Sequence, residues 1–155
     1  EYRKKTCLEV GSSLGHGTRV LSSLFSRVTA LDNLYERHEE SKKLNSDRDN
    51  IEYVTMDVYN QKWDFWNMQV VFIDCVHDYV HIQSDIENAL KFGKDTIIVF
   101  DDYGLFPELK QCIDEYVDMG KLKVLKKIGQ KKGTYFPTTQ NKILKDYEGI
   151  ICQSV

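Results

Sequence analysis

Two groups of residues in this chain have the types and spacing to do chemistry. The first is the run Leu8-Glu9-Val10-Gly11-Ser12-Ser13-Leu14-Gly15-His16-Gly17-Thr18, followed by Asp32 and then Asp57. Glycines just after a strand allow a tight turn and let a ligand approach the backbone. Asp32 stands 21 residues after Gly11, where an acid at the end of a second strand can accept both hydroxyls of a ribose. Asp57, with Val58 beside it, ends a third strand, where a carboxylate can accept the amino group of an adenine. The second group is Asp74-Cys75-Val76-His77-Asp78-Tyr79 and Asp101-Asp102-Tyr103-Gly104. Carboxylates at the ends of neighbouring strands repel one another unless a cation lies between them. Hard oxygen ligands of this kind suit Mg²⁺ or Mn²⁺. An imidazole such as His77 can take a proton near neutral pH.

The elements that must position these groups follow from the hydrophobic pattern. Short β-branched runs alternate with longer amphipathic segments, which is the pattern of a parallel α/β sheet. Strands are expected at 6–10, 28–32, 51–56, 70–74 and 96–100. Helices are expected through Val20, Leu21, Leu24 and Phe25, and at 34–44, 79–92 and 107–119. Gly93 and Gly120 close the last two, and Pro107 opens the final one. After residue 120 the alternation stops, with strands expected at 122–128, 134–136 and 149–153. At least one closing strand is therefore expected to run antiparallel. His38 and His81 read as helix-surface residues and His16 as part of the glycine loop. Trp63, Phe65 and Trp66 read as core packing, a lid under an adenine, or a substrate platform.

Composition narrows the class. A net charge of −3 gives no global field favouring nucleic acid or an anionic membrane, and neither partner is predicted. The lysines between 121 and 132 read as a solvated strand-and-turn face. No apolar stretch is long enough for a membrane span. The four cysteines, Cys7, Cys75, Cys112 and Cys152, are widely spaced and sit in or beside apolar runs. That usage suggests reduced thiols in a cytoplasmic setting and speaks against zinc. The length suits a single domain over 1–155. The start at Glu1 rather than Met leaves room for excision from a longer protein, hence for a fused domain; a homo-oligomer is equally open.

Glu9-Val10-Gly11-x-x-x-Gly15-x-Gly17-Thr18, then Asp32, then Asp57, resembles the three cofactor motifs of class I S-adenosylmethionine-dependent methyltransferases. The resemblance covers nearly the whole chain. It implies a Rossmann-like methyltransferase sandwich with a mostly parallel seven-stranded sheet, order 3-2-1-4-5-7-6, the last strand antiparallel. It also implies that the glycine loop (Glu9, Gly11, Ser12, Ser13, Gly15, Gly17, Thr18) and Asp74 face the methionine end of S-adenosylmethionine. Asp32 and Asn33 would take the ribose, and Asp57 and Val58 the adenine. The missing glycine at position 13 suits a ligand without phosphates; a dinucleotide loop needs one there.

The second group resembles the metal-dependent small-molecule O-methyltransferases of the catechol and macrolide-sugar types. That likeness implies a divalent cation (Mg or Mn) on Asp74, Asp101 and Asp102, a small-molecule or sugar hydroxyl as acceptor, and His77, where the catechol type carries a lysine, as base. A related hydroxyl-methylating group has Asp-x-x-His-x-Tyr, matched by Asp74, His77 and Tyr79. It carries His-Asp-Tyr after the fifth strand, where this chain has Asp101-Asp102-Tyr103. An NAD-dependent oxidoreductase and a non-catalytic S-adenosylmethionine-binding module remain as alternatives; the first should show GxGxxG and no acidic triad.

Overall fold

A computed structural model describes residues 2–136 and 142–155. Its main sheet has seven strands in the order β3-β2-β1-β4-β5-β9-β6. Counting only these seven in chain order, that is 3-2-1-4-5-7-6, as the motifs imply. The chain divides into two compact units, Glu1–Cys75 and Val76–Val155.

In the first unit β1 (Thr6–Val10), β2 (Arg27–Asp32), β3 (Ile51–Thr55) and β4 (Val70–Ile73) are all parallel. The register sets Val10 beside Leu31 on one side and Ile73 on the other. The carboxyl ends of β1, β2 and β4 therefore lie level, which is where ligands of open α/β sheets bind. Cys7, Leu8, Val10, Val28, Ala30 and Leu31 are fully buried. Helix α1 (His16–Leu24) follows the glycine loop, and α2 (Tyr35–Leu44) joins β2 to β3. The α1 face turned inward is Thr18, Leu21 and Ser22. The inward residues of α2 are His38 and Ser41, so this helix is not held by an apolar stripe.

In the second unit α3 (Tyr79–Leu90) is capped by Asp78, whose carboxylate accepts the His81 amide at 3.0 Å. It leads to β5 (Ile97–Phe100) and α4 (Pro107–Asp118), whose first residue is proline. β9 (Gly149–Ser154) runs antiparallel to both β5 and β6 (Leu122–Ile128). The expected antiparallel closure is thus β9. β6 forms the sheet edge, and two of its three lysines, Lys123 and Lys126, are exposed. Charge on an edge strand discourages pairing with another chain. The expected strand at 134–136 is only β7 (Tyr135–Phe136). It pairs with β8 (Lys142–Ile143) in a separate two-stranded sheet, which the sequence pattern missed.

Buried Tyr103 anchors this unit. Its hydroxyl donates to Asp114 at 2.5 Å and accepts from Lys110 at 3.0 Å. Lys110 also pairs with Asp114, and Lys127 with Asp146 at 2.5 Å. Burial pushes the Tyr103 hydroxyl up to about 12, with the bond to Asp114 adding. Among the described residues no helix is long and apolar enough to cross a membrane.

Candidate active site

The glycine loop is fixed at its start by β2. The amides of Gly11 and Ser12 both donate to the Leu31 carbonyl, at 3.0 and 2.9 Å, and Gly15 donates back to Ser12 at 2.9 Å. Two glycines are required by geometry. Gly11 has φ of +91°, and a Cβ there would lie 2.0 Å from the Asp74 carbonyl oxygen. Gly15 has φ of +86°, and a Cβ would lie 1.9 Å from the Ser41 hydroxyl. The backbone just after β4 thus lies too close to Gly11, and the Ser41 and Asn45 side chains too close to Gly15, for a Cβ at either position.

Asp32 meets the loop from the end of β2. Its Oδ2 accepts the Ser13 amide at 2.9 Å, Oδ1 accepts the Leu34 amide at 3.0 Å, and Arg37 stands 3.5 Å away. The residue is 5% exposed. Glu9 is more deeply set and accepts from the Thr18 hydroxyl at 2.6 Å. Burial pushes its carboxyl up to about 7; the Thr18 bond opposes that, and the Asp74 and Asp32 charges add to it. Asn33 is exposed and Val58 is buried. His16 opens α1 as an exposed residue and Gly17 follows it, also exposed.

Asp57 lies two residues beyond β3. Its carboxylate holds its own turn, accepting from the amides of Tyr59 at 3.0 Å and Asn60 at 3.2 Å and from the Asn60 side chain at 2.7 Å. The three aromatics after it separate. Trp63 is buried and donates to the Val58 carbonyl at 2.9 Å, whereas Trp66 is 86% exposed. Asp74 follows β4 directly, with its amide on the Val10 carbonyl at 3.0 Å.

In the second unit, His77 lies one residue before the cap of α3, in the loop rather than the first turn of the helix. Its Nε2 is 3.6 Å from Asp102 Oδ2, and its ring stacks on Phe106 with centroids 4.3 Å apart and planes 7° from parallel. Asp102 adopts φ of +56°, and its amide donates to Asp101 Oδ1 at 3.0 Å. The structure therefore brings His77 to Asp102, while Asp101 braces the Asp102 backbone. A cavity of about 500 Å³ opens beside His77, lined by Val76, Asp78, Phe106, Pro107 and Glu108. Tyr79 is turned to α4, its hydroxyl on Glu115 at 2.5 Å.

No protein-family model matches the chain, and no curated protein sequence matches it. Solved structures do. NodS, an N-methyltransferase of Bradyrhizobium japonicum WM9 in complex with S-adenosyl-L-homocysteine, superposes on 97% of this chain and 78% of its own, with a TM-score of 0.73 and 13% identity. The chain has the methyltransferase fold. An rRNA methylase from Streptococcus thermophilus covers 99% of it and 88% of its own chain (TM-score 0.63, 11% identity). Aeropyrum pernix fibrillarin, with natively bound S-adenosyl-L-methionine, covers 98% and 68% (0.65, 14%).

One residue of this methyltransferase fold corrects the sequence reading. His38, expected on the helix surface, is 1% exposed and lies beneath the glycine loop. Its Nε2 is 3.3 Å from the Ser12 hydroxyl and its Nδ1 is 2.9 Å from the Thr55 hydroxyl. Burial holds it below the ordinary imidazole range; Asp32 opposes this and Lys42 adds to it. His81, by contrast, remains half-exposed beside Asp78.

Proposed function

We propose that the chain transfers a methyl group from S-adenosylmethionine to a hydroxyl of a small molecule or sugar. The observation that carries this reading is the 11–17 loop, held against the ends of β1 and β2 with the Ser13 amide on Asp32. The open turn and the acid beside it suit a nucleoside whose sulfonium arm lies along the loop. Asp32 binds the ribose, with Asn33 at the rim, and Asp57 and Val58 take the adenine. The new O–CH₃ bond forms as the S–CH₃ bond breaks, and the electron pair stays on sulfur. Reaction then depends mainly on alignment, because the methyl donor is already activated. The acceptor proton goes to the His77 imidazole, with Asp102 beside it to steady the charge.

The carboxylates of Asp74, Asp101 and Asp102 are oxygen donors of the kind that suits a hard divalent cation, and His77 Nε2, 3.6 Å from Asp102 Oδ2, serves as the base beside it. Held by Asp74, Asp101 and Asp102, Mg²⁺ or Mn²⁺ would supply Lewis acidity to the acceptor oxygen. The acceptor class is favoured by charge. Among the described residues the cavity beside His77 is lined by Asp78 and Glu108 and by no lysine or arginine, which disfavours phosphate-bearing acceptors such as RNA.

Calorimetry with S-adenosylhomocysteine and with NAD tests the cofactor. Asp32→Ala should weaken S-adenosylhomocysteine binding on the order of 10- to 100-fold, as expected for a lost charged hydrogen bond. Tighter binding of NAD by the native chain overturns the reading. Methyl transfer to a hydroxyl acceptor should be lost in Asp102→Asn with cofactor affinity kept. Full activity in excess EDTA removes the cation from the scheme.

A further inference from the structure

The inward residues of α2 and its cap are polar and address one target. His38, Ser41 and Asn45 stand at i, i+3 and i+7, on one helical face. They are 1%, 0% and 3% exposed. At the far end of the glycine loop the Asn45 side chain donates to the Gly15 carbonyl at 3.1 Å, and Ser41 fills the space a Gly15 side chain would need. At the near end His38 spans from the Ser12 hydroxyl to the Thr55 hydroxyl on β3. The next amide along, Ser13, is the one on Asp32.

We propose that His38 is a positioning residue that fixes Ser12, and with it the Ser13–Asp32 contact, in the conformation that receives the cofactor. The proposal rests on the methyltransferase reading above. A neutral imidazole offers one donor and one acceptor in one rigid plane, and its two partners are hydroxyls that can take either role. The ring therefore ties a loop residue to a strand residue 43 positions later with no net charge. Burial, which holds the imidazole neutral against the nearby Asp32 carboxylate, keeps that bridge intact at neutral pH. Without the bridge Ser12 loses its side-chain bond to α2, and among the described residues α2 then holds the loop through the Asn45–Gly15 end alone.

The test is calorimetry of S-adenosylhomocysteine on the full chain and on His38→Phe, His38→Gln, Ser12→Ala and the Ser12→Ala/His38→Phe double variant. Phenylalanine keeps the buried ring and removes both bonds; it should weaken binding at least tenfold. Glutamine keeps one donor and one acceptor and should restore most of the affinity. The double variant should bind no worse than His38→Phe, because the two changes break one contact. If His38→Phe does not fold, ¹⁵N spectra of the native chain decide: the His38 ring nitrogens should shift on saturation with S-adenosylhomocysteine. A native chain that binds no S-adenosylhomocysteine overturns the cofactor reading and this proposal together. Native-like affinity in His38→Phe, additive losses in the double variant, or ring nitrogens unmoved by ligand overturns the proposal alone.

Discussion

Glu9 should make the unliganded protein weaken as pH rises through neutrality. The residue is 2% exposed, and the fold raises its carboxyl from the ordinary 4.5 to about 7. The folded state therefore prefers the neutral acid. That preference contributes in full below about pH 4.5, declines as pH rises, and is lost above about 7. At about 1.4 kcal/mol per pH unit, the displacement corresponds to about 3 kcal/mol. Glu9→Gln removes the titration and keeps an oxygen for the Thr18 hydroxyl. The variant should lead the native chain by under about 1 kcal/mol near pH 5 and by up to about 3 kcal/mol near pH 8.5. In a chain of this size that is about 6–12 °C in Tm. Urea unfolding of both proteins at pH 5, 6, 7 and 8.5 measures the difference directly, and other titrating groups cancel between them. A difference that stays constant with pH, or a native chain that gains on the variant as pH rises, would refute the burial argument.

Gly11→Ala should cost more than 3 kcal/mol and abolish cofactor binding, because its Cβ meets the Asp74 carbonyl rather than a side chain that can move; thermal melts and calorimetry check both. Tyr103→Phe should cost about 1–2 kcal/mol, read from urea midpoints, since it strips a donor from Asp114 and an acceptor from Lys110. Of the four cysteines, Cys75 should be labelled first by a thiol reagent in the native state, as read by mass mapping. Cys7, Cys112 and Cys152 are buried, and burial pushes each thiol upward, to about 12 for Cys112 and Cys152.

The glycine loop and Asp32 are legible in sequence because their geometry is local: a strand end, a turn and an acid at fixed spacing. The sheet order comes with the resemblance those motifs carry; the pattern itself yields only the antiparallel closure after residue 120, which is β9. His38 is hidden because α2 reads Tyr-Glu-Arg-His-Glu-Glu-Ser-Lys-Lys-Leu, with no apolar stripe to mark an inward face. Its burial depends on hydroxyls at Ser12 and Thr55, 26 residues before it and 17 after. A polar triplet at i, i+3 and i+7 beside a glycine loop is the signal that would have found it. β8 was missed because two residues carry no period.

The place of β9 sets an order of assembly. β1, β2 and β3 pair only with strands of the first unit, so these ladders can form as the chain emerges from the ribosome. β6 has no such freedom: its partner in the main sheet is β9, which must slide between it and β5. Until Gly149–Ser154 has been made, β5 and β6 each expose a bare row of amides and carbonyls to the cell. Synthesis thus leaves an interval in which this half is vulnerable to chaperone capture or to misannealing with another nascent chain. A stall or nonsense codon just before residue 149 would release a product with its glycine loop complete and with β5 and β6 lacking the strand that lies between them.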